Sequence, residues 1–317
     1  MNRALSLRTR SSLLNQDPIT AVFTSAWCRL EPVSGDKISA SRNPAQPSEE
    51  IAPAGQRRAN ANHFPGHLFR NWREFKTRLN AAKGCALFLD LDGTLVPLRP
   101  RPADVQLSRQ TKRILNLLRT HTNLHLAFVS GRQLRVLRNI IDMEKVHYVG
   151  LHGAECENKT VHMSEESVRA LSAAKRAAKK QLQGFGGIWI EDKGLSFAVH
   201  YWKAKPAIVR AAELALNQIL APILGNLHIL KGNKVWEVLP KEIPGKGVAV
   251  RSLLNGLPKN TLGIYVGDDV TDETAFAALS DQITVKVGRT HGTQARFYVR
   301  NPAEVHRFLK HLETLFS

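Results

Sequence analysis

The run Cys85-Ala86-Leu87-Phe88-Leu89 has the length and character of a strand, and it ends abruptly in Asp90-Leu91-Asp92-Gly93-Thr94. Alternation along a strand puts residues two apart on the same side, so the two carboxylates can face one point at the strand's C-terminal end. Two acids sharing a point repel and are costly to keep ionised unless a cation or a basic side chain lies between them. Asp-Gly is also a common turn pair, but an apolar strand feeding Asp-x-Asp-Gly-Thr argues against a plain turn. The pattern points to a magnesium site with a carboxylate left over for chemistry.

Other stretches supply what such a site needs. A second apolar run, Leu262 to Val266, leads into Gly267-Asp268-Asp269-Val270-Thr271-Asp272-Glu273. Acids are favoured at a helix N-terminus, but a cap does not call for four of them within six residues. A metal role therefore falls first to Asp268, with Asp269 or Asp272 holding metal-bound water and the Asp92 backbone carbonyl completing the protein's share. A hard, oxygen-only site suits magnesium better than zinc. A third run, Leu124 to Val129, ends in Ser130-Gly131-Arg132, and Pro244-Gly245-Lys246-Gly247 opens a helical pattern. The hydroxyl of Ser130 and the amide of Gly131 suit phosphate oxygens, and Lys246 supplies a cation to screen Asp90. Together these make a phosphoryl-transfer set. Each piece lies where a strand gives way to a loop or helix, the place open α/β sheets use for ligands.

The rhythm of the chain predicts an α/β fold: a Rossmann-like, parallel, doubly wound core with an inserted α+β cap domain and a disordered N-terminal tail. The expected divisions are a tail over 1–62, core over 63–153, cap over 154–235 and core again over 236–317. Leu68, Phe69, Trp72, Phe75 and Leu79 predict an amphipathic helix over 66–80. Ser108 is placed to cap a helix whose inner face is Ile114, Leu115, Leu117 and Leu118. In the insert, helices are expected over 164–183 and 206–220, and strands over 188–192, 195–201, 227–231 and 235–238.

In order, Asp90-Leu91-Asp92-Gly93-Thr94, Ser130-Gly131-Arg132, Lys246-Gly247 and Gly267-Asp268-Asp269 resemble the four motifs of haloacid-dehalogenase-superfamily phosphatases. Within them the chain resembles the trehalose-6-phosphate phosphatases through Gly150-Leu151-His152-Gly153, Glu191-Asp192-Lys193 with His200-Tyr201, and Trp236-Glu237-Val238. The resemblance implies that Asp90 is the nucleophile, forming an aspartyl phosphate, and that Asp92 is the general acid and base. It also implies that Asp90, Asp92, Asp268 and Asp269 surround the metal and that Ser130, Gly131, Arg132 and His152 lie near the phosphate. Glu191, Lys193, Lys234 and Glu237 become candidates for sugar hydroxyls; on their own they read as a solvated sheet face. Where such enzymes usually carry arginine, this chain has Trp202 and Leu239. A phosphatase of another sugar phosphate, such as a mannosyl-phosphoglycerate, or a non-catalytic sugar-phosphate sensor are the alternatives.

The chain carries 45 Lys and Arg against 27 Asp and Glu, a net charge of +18. Such a surface attracts polyphosphate, yet no helix-turn-helix, zinc-finger or ribonucleoprotein pattern specifies a nucleic-acid module. A small sugar phosphate, with no nucleic-acid or membrane partner, is the expected ligand, and a monomer the expected state. The run Lys175-Arg176-Ala177-Ala178-Lys179-Lys180 reads as a solvated helix face. No apolar run nears the roughly 20 residues a membrane span needs. Residues before about 60 are rich in Ser, Ala, Arg, Asn and Pro with no sustained periodicity, which predicts disorder. They lack the apolar core of a secretory signal. Three cysteines without metal-ligand spacing fit a reducing, cytoplasmic setting.

Overall fold

Three parallel strands bring the motifs to one edge. In the computed structural model, which describes residues 64–157 and 159–317, strand β1 (Gly66–His67) and helix α1 (Trp72–Asn80) precede β2 (Gly84–Leu89). The core continues with α2 (Arg109–Leu118), β3 (Leu124–Val129), α3 (Leu134–Ile141), β4 (His147–Gly150), β5 (Glu155–Cys156) and β6 (Lys159–Thr160). The cap then follows as α4 (Glu165–Gln181), β7 (Trp189–Asp192), β8 (Phe197–His200), α5 (Pro206–Leu220), β9 (Leu227–Gly232) and β10 (Val235–Pro240). The core resumes with α6 (Gly245–Asn255), β11 (Thr261–Gly267), α7 (Glu273–Ala278), β12 (Ile283–Val287), β13 (Phe297–Val299) and α8 (Pro302–Phe316).

The core sheet has the order β1-β13-β12-β11-β2-β3-β4-β5-β6, parallel as far as β4 and antiparallel beyond it. Its central strands are apolar on both faces because helices cover both. Cys85, Leu87 and Leu89 enter one core cluster, while Ala86 and Phe88 enter the other. Strand alternation alone produces that division. Val266 pairs with Leu89, and Leu89 with Phe128, so β11, β2 and β3 end level with one another. The first residues past those ends include Asp90, Asp268 and Ser130.

The cap sheet, β7-β8-β10-β9, is antiparallel throughout. On one face Phe197, Val199, Trp236 and Val238 pack against Leu171, Ala174 and Ala178 of α4 and Leu216 and Leu220 of α5. The opposite face carries Glu191, Ala198 and Glu237 in one cross-strand row and Trp189, His200 and Val235 in the next. That face is not the solvated sheet surface its charges imply in isolation; it roofs the ends of the core strands.

Several expectations are corrected. The helix read over 66–80 starts only at Trp72, because Gly66 and His67 pair with Phe297 and Tyr298 as an edge strand. Ser108 caps α2 by accepting a hydrogen bond from the Thr111 amide, and Ile114, Leu115 and Leu118 are buried, but Leu117 is exposed. Strands β5 and β6 extend the core sheet past residue 153, and β10 runs unbroken to Pro240 in the cap sheet. Sheet membership thus divides the chain near 160 and 240 rather than at 153 and 235. In the basic run of α4, Lys175 is held by Asp192 at 2.7 Å while Arg176, Lys179 and Lys180 face solvent. The tail predicted over 1–62, with Cys28, lies outside the described residues; Cys85 and Cys156 are buried free thiols. No helix among the described residues is long and apolar enough to cross a membrane.

Candidate active site

Lys246 forms the centre of the site. It stands in the first turn of α6, buried, and donates to Asp90 Oδ1 at 2.8 Å and to Asp272 Oδ1 at 2.7 Å. Carboxylate oxygens of Asp90, Asp268 and Asp272 all lie within 4.8 Å of one another. Three stretches separated by as many as 182 positions therefore share one point (272 less 90).

The electrostatics are those of a cluster short of positive charge. Burial pushes the Asp90 carboxyl up to about 7, against the pull of Lys246 and with the repulsion of Asp272 added. Asp268 is driven well above the usual carboxylate range, first by burial and then by the charges of Asp90, Asp272 and Asp269. Asp272 goes the other way: although burial opposes it, Lys246 and the Tyr265 hydroxyl hold it below its usual value. Its two oxygens are fully engaged, Oδ1 by Lys246 and by Tyr265 at 2.6 Å, and Oδ2 by the Asp269 amide at 2.9 Å. Asp272 is thus the anchor that fixes Lys246, whereas Asp90 and Asp268 keep oxygens for a ligand. A buried, all-oxygen, excess-acid donor set fits a hard divalent cation, whose charge relieves the repulsion.

The backbone at Asp268 admits only glycine opposite. Gly93 has φ +83°, and a Cβ built there falls 2.0 Å from Asp268 Oδ2. The positive φ turns the chain after Asp92, and the missing side chain lets the acid loop close against it. Thr94 Oγ1 donates to Asp268 Oδ1 at 3.3 Å, and Lys286 donates to the Asp268 carbonyl at 2.6 Å.

The remaining candidates sort by position. Ser130 is buried at the cleft and accepts a hydrogen bond from the Arg132 amide through Oγ at 3.2 Å. Arg132 grips Asp92 with both arms of its fork, Nε to Oδ2 at 2.6 Å and a terminal nitrogen to Oδ1 at 2.8 Å. Asp92 therefore stands apart from the three-carboxylate cluster. Asp269, placed beside Asp268 from sequence, also leaves it: its carboxylate lies against Gly232 at the end of cap strand β9. Lys234 is a further correction. It occupies the exposed β9–β10 turn with φ +60° and does not line the cleft, which its neighbour Asn233 does.

Glu191, Lys193, Glu237 and His152 all line the cleft, but they bind each other as well. Glu237, buried in the cap sheet, accepts from Ser196 at 2.8 Å, from Lys193 at 2.8 Å and meets His152 Nε2 at 3.0 Å. Lys193 also donates to the Gly131 carbonyl at 3.0 Å. His152 and Gly131 belong to the core, so this network holds the cap down on it. Glu191 instead pairs with His200 at 2.9 Å. Burial opposes the charge on Glu237, yet Lys193 and His152 keep it well below the usual carboxylate range. Its contribution to stability is therefore complete above the unfolded value near 4.5 and is lost as the pH falls below it. Glu237→Gln is expected to lose about 3 kcal/mol at neutral pH. Urea titrations should show that gap to wild type narrowing steadily below pH 4.5.

Sequence reasoning assigned no role to Tyr265, Lys286 or Ser196, although Ser196 closes the stretch Glu191 to Ser196 that carries part of the family resemblance. Lys286 did carry a signal, since it is the one charged residue in the buried strand Ile283-Thr284-Val285-Lys286-Val287. Tyr265 carried none, because a tyrosine inside a buried strand reads as core. Of the two departures from arginine, Leu239 is fully buried with Leu151, Ala154 and Ile243, and Trp202 lines the cleft.

The trehalose-phosphatase family model matches residues 88–303. The trehalose-6-phosphate phosphatase of Escherichia coli (strain K12) is 30% identical over 237 residues, covering 72% of this chain and 86% of that protein. The solved C-terminal domain of the Candida albicans trehalose-6-phosphate phosphatase superposes with a TM-score of 0.68 at 20% identity, over 80% of this chain and 100% of that one. A crystal structure of a trehalose-6-phosphate phosphatase related protein gives 0.60 at 27% identity, over 73% and 97%.

Proposed function

Since this chain belongs to the trehalose-phosphatase family, and is accordingly a phosphatase, we propose that it hydrolyses trehalose 6-phosphate to trehalose and phosphate, with Mg2+ at the carboxylate cluster. The observation that carries this reading is Lys246 bridging Asp90 and Asp272 on the floor of a cleft roofed by Glu191, Lys193 and Glu237.

Asp90 is the nucleophile. Lys246 occupies its Oδ1, which orients the carboxylate and leaves Oδ2 for attack on phosphorus. The phosphate ester of the sugar breaks, an acyl phosphate forms on Asp90, and water then releases phosphate and regenerates the carboxylate. Ser130 and the Gly131 amide hold the phosphate oxygens, and Lys246 faces the charge that develops on them. Mg2+, held by Asp90, Asp268 and the Asp92 carbonyl, would neutralise charge on the transferring group. Asp92 gives the leaving sugar oxygen its proton and then takes one from the hydrolytic water. A proton on Asp92 and the fork of Arg132 compete for the same two oxygens. Arg132 must therefore turn to the incoming phosphate as the substrate seats, which ties the arming of the acid to an occupied site. The cap network through Glu237 keeps bulk water out of the first step.

Phosphate release across a panel of sugar phosphates tests the assignment. Trehalose 6-phosphate is expected to lead glucose 6-phosphate by at least ~10-fold in kcat/KM, as binding of a second ring allows. Chelation should lower turnover by ~100-fold or more, with Mg2+ restoring it. A tenfold preference for another sugar phosphate would overturn the substrate assignment alone, whereas turnover indifferent to chelation would overturn the metal.

A further inference from the structure

A second cavity adjoins the cleft on the cap side. It measures about 360 Å³, against about 160 Å³ for the central cleft, and its walls include Pro100, Arg101, Trp189, Trp202 and Lys203. Trp202 lines both spaces, so a single indole borders the cavity on one side and the cleft on the other.

Trp189 is the more telling of the two. At 39% it is among the few exposed large apolar side chains of the described residues. One face of its ring lies on His200, centroids 3.9 Å apart and planes within 9°. His200 lines the cleft and bonds Glu191. A chain of contacts therefore runs from Glu191 in the cleft, through its hydrogen bond to His200, to the indole stacked on that ring in the side cavity. The wall is also preformed: a Cβ on Gly187, at φ +84°, would come within 2.5 Å of the Lys203–Ala204 backbone, so the segments bearing Trp189 and Trp202 are pressed together. Arg101 and Lys203 stand at this cavity without an ion-pair partner among the described residues.

Flat aromatic faces bordered by free hydrogen-bond donors match one chemistry, a ring with apolar C–H faces and hydroxyls at its edge. Another cavity, about 590 Å³, also reaches the cleft through Arg132 and Glu191, but it is walled by Val105, Leu107, Val136 and Ile140 and holds no aromatic side chain. A sugar ring gains the more from the tryptophan side.

We propose that the Trp189–Trp202 cavity is a saccharide subsite, which takes a pyranose ring joined to the phosphorylated one. It deepens the reading above and relies on it for where the phosphorylated ring sits. The enzyme then recognises its substrate beyond the phosphorylated ring by stacking, in addition to the polar groups of the cleft.

Two measurements on the full chain test this. The first is selectivity, the ratio of kcat/KM for trehalose 6-phosphate to that for p-nitrophenyl phosphate, in wild type, Trp189→Ala and Trp202→Ala. Stacking of the usual strength predicts that the ratio falls by about 3- to 10-fold for each alanine variant, mainly through KM. The second is calorimetric titration of each protein with trehalose and with maltotriose, which needs no turnover; affinity for the better ligand should fall by the same factors. Trp189→Phe, which keeps a ring on His200, should retain most of the wild-type value and separates stacking from damage to the cap. An unchanged ratio together with unchanged saccharide affinity in both alanine variants overturns the subsite. If wild type ignores trehalose 6-phosphate but hydrolyses p-nitrophenyl phosphate, the substrate reading fails by itself. The titrations then decide the subsite: binding weakened by either alanine change supports it, and no saccharide binding to wild type overturns it.

Discussion

Asp90→Asn is expected to lower phosphate release by ~10⁴-fold or more while the protein stays folded. The amide fits the same space and still meets Lys246, but it cannot attack phosphorus. Its effect on stability has a definite sign. Burial pushes the Asp90 carboxyl up to about 7, so the folded, metal-free protein bears a cost for keeping it ionised at higher pH. Removing that charge should leave the metal-free variant with an unchanged or higher melting temperature. Phosphate release and thermal melting, run on the same preparation, check both halves. Loss of activity accompanied by a large fall in melting temperature would mean that Asp90 matters to the fold first.

Lys246→Met should lose activity as well, but with the opposite effect on stability. Lys246 is buried against two carboxylates, and burial alone would strip its charge; Asp272 and Asp90 instead hold it well above its usual value. Methionine preserves the packing of the first turn of α6 and leaves Asp90 and Asp272 facing each other without their shared cation. Breaking a buried pair from one side costs about 3–5 kcal/mol. The variant is therefore expected to be both inactive and strongly destabilised in urea titrations. Pairing the change with Asp272→Asn should recover much of the stability and none of the turnover, since the repulsion goes but the phosphate still lacks its lysine. A stable Lys246→Met protein would show that the cluster does not depend on this cation.

How much of this was legible follows from what kind of signal each part gives. The core strands were readable because β2, β3 and β11 are largely apolar runs with buried residues on both faces, and helices that cap cleanly, as Ser108 does for α2, announce their start. The cap elements were also found nearly in place, since α4 and α5 alternate with strands short enough to be delimited by Gly and Pro. What sequence could not supply was the direction of side chains past a strand end. Asp268, Asp269 and Asp272 are equivalent as letters, and only the loop's path turns Asp269 toward Gly232 and brings Asp272 onto Lys246. Lys234 failed for a related reason: a charge next to a strand reads as a strand position until the turn at φ +60° sends it outward. The pairing of Arg132 with Asp92 joins residues 40 apart across two loops, beyond any periodicity.

The most direct measurement is to catch the phosphoryl group on the protein. Wild-type enzyme mixed with excess trehalose 6-phosphate and Mg2+, quenched in acid and reduced with borohydride, converts an aspartyl phosphate to homoserine, which peptide mass spectrometry can place. The modification is predicted at residue 90 and nowhere else, absent without substrate and absent from Asp90→Asn. Phosphate found instead on His152 or Ser130, or reduction at Asp268 or Asp272, would contradict the account, because Lys246 would then be serving a different nucleophile.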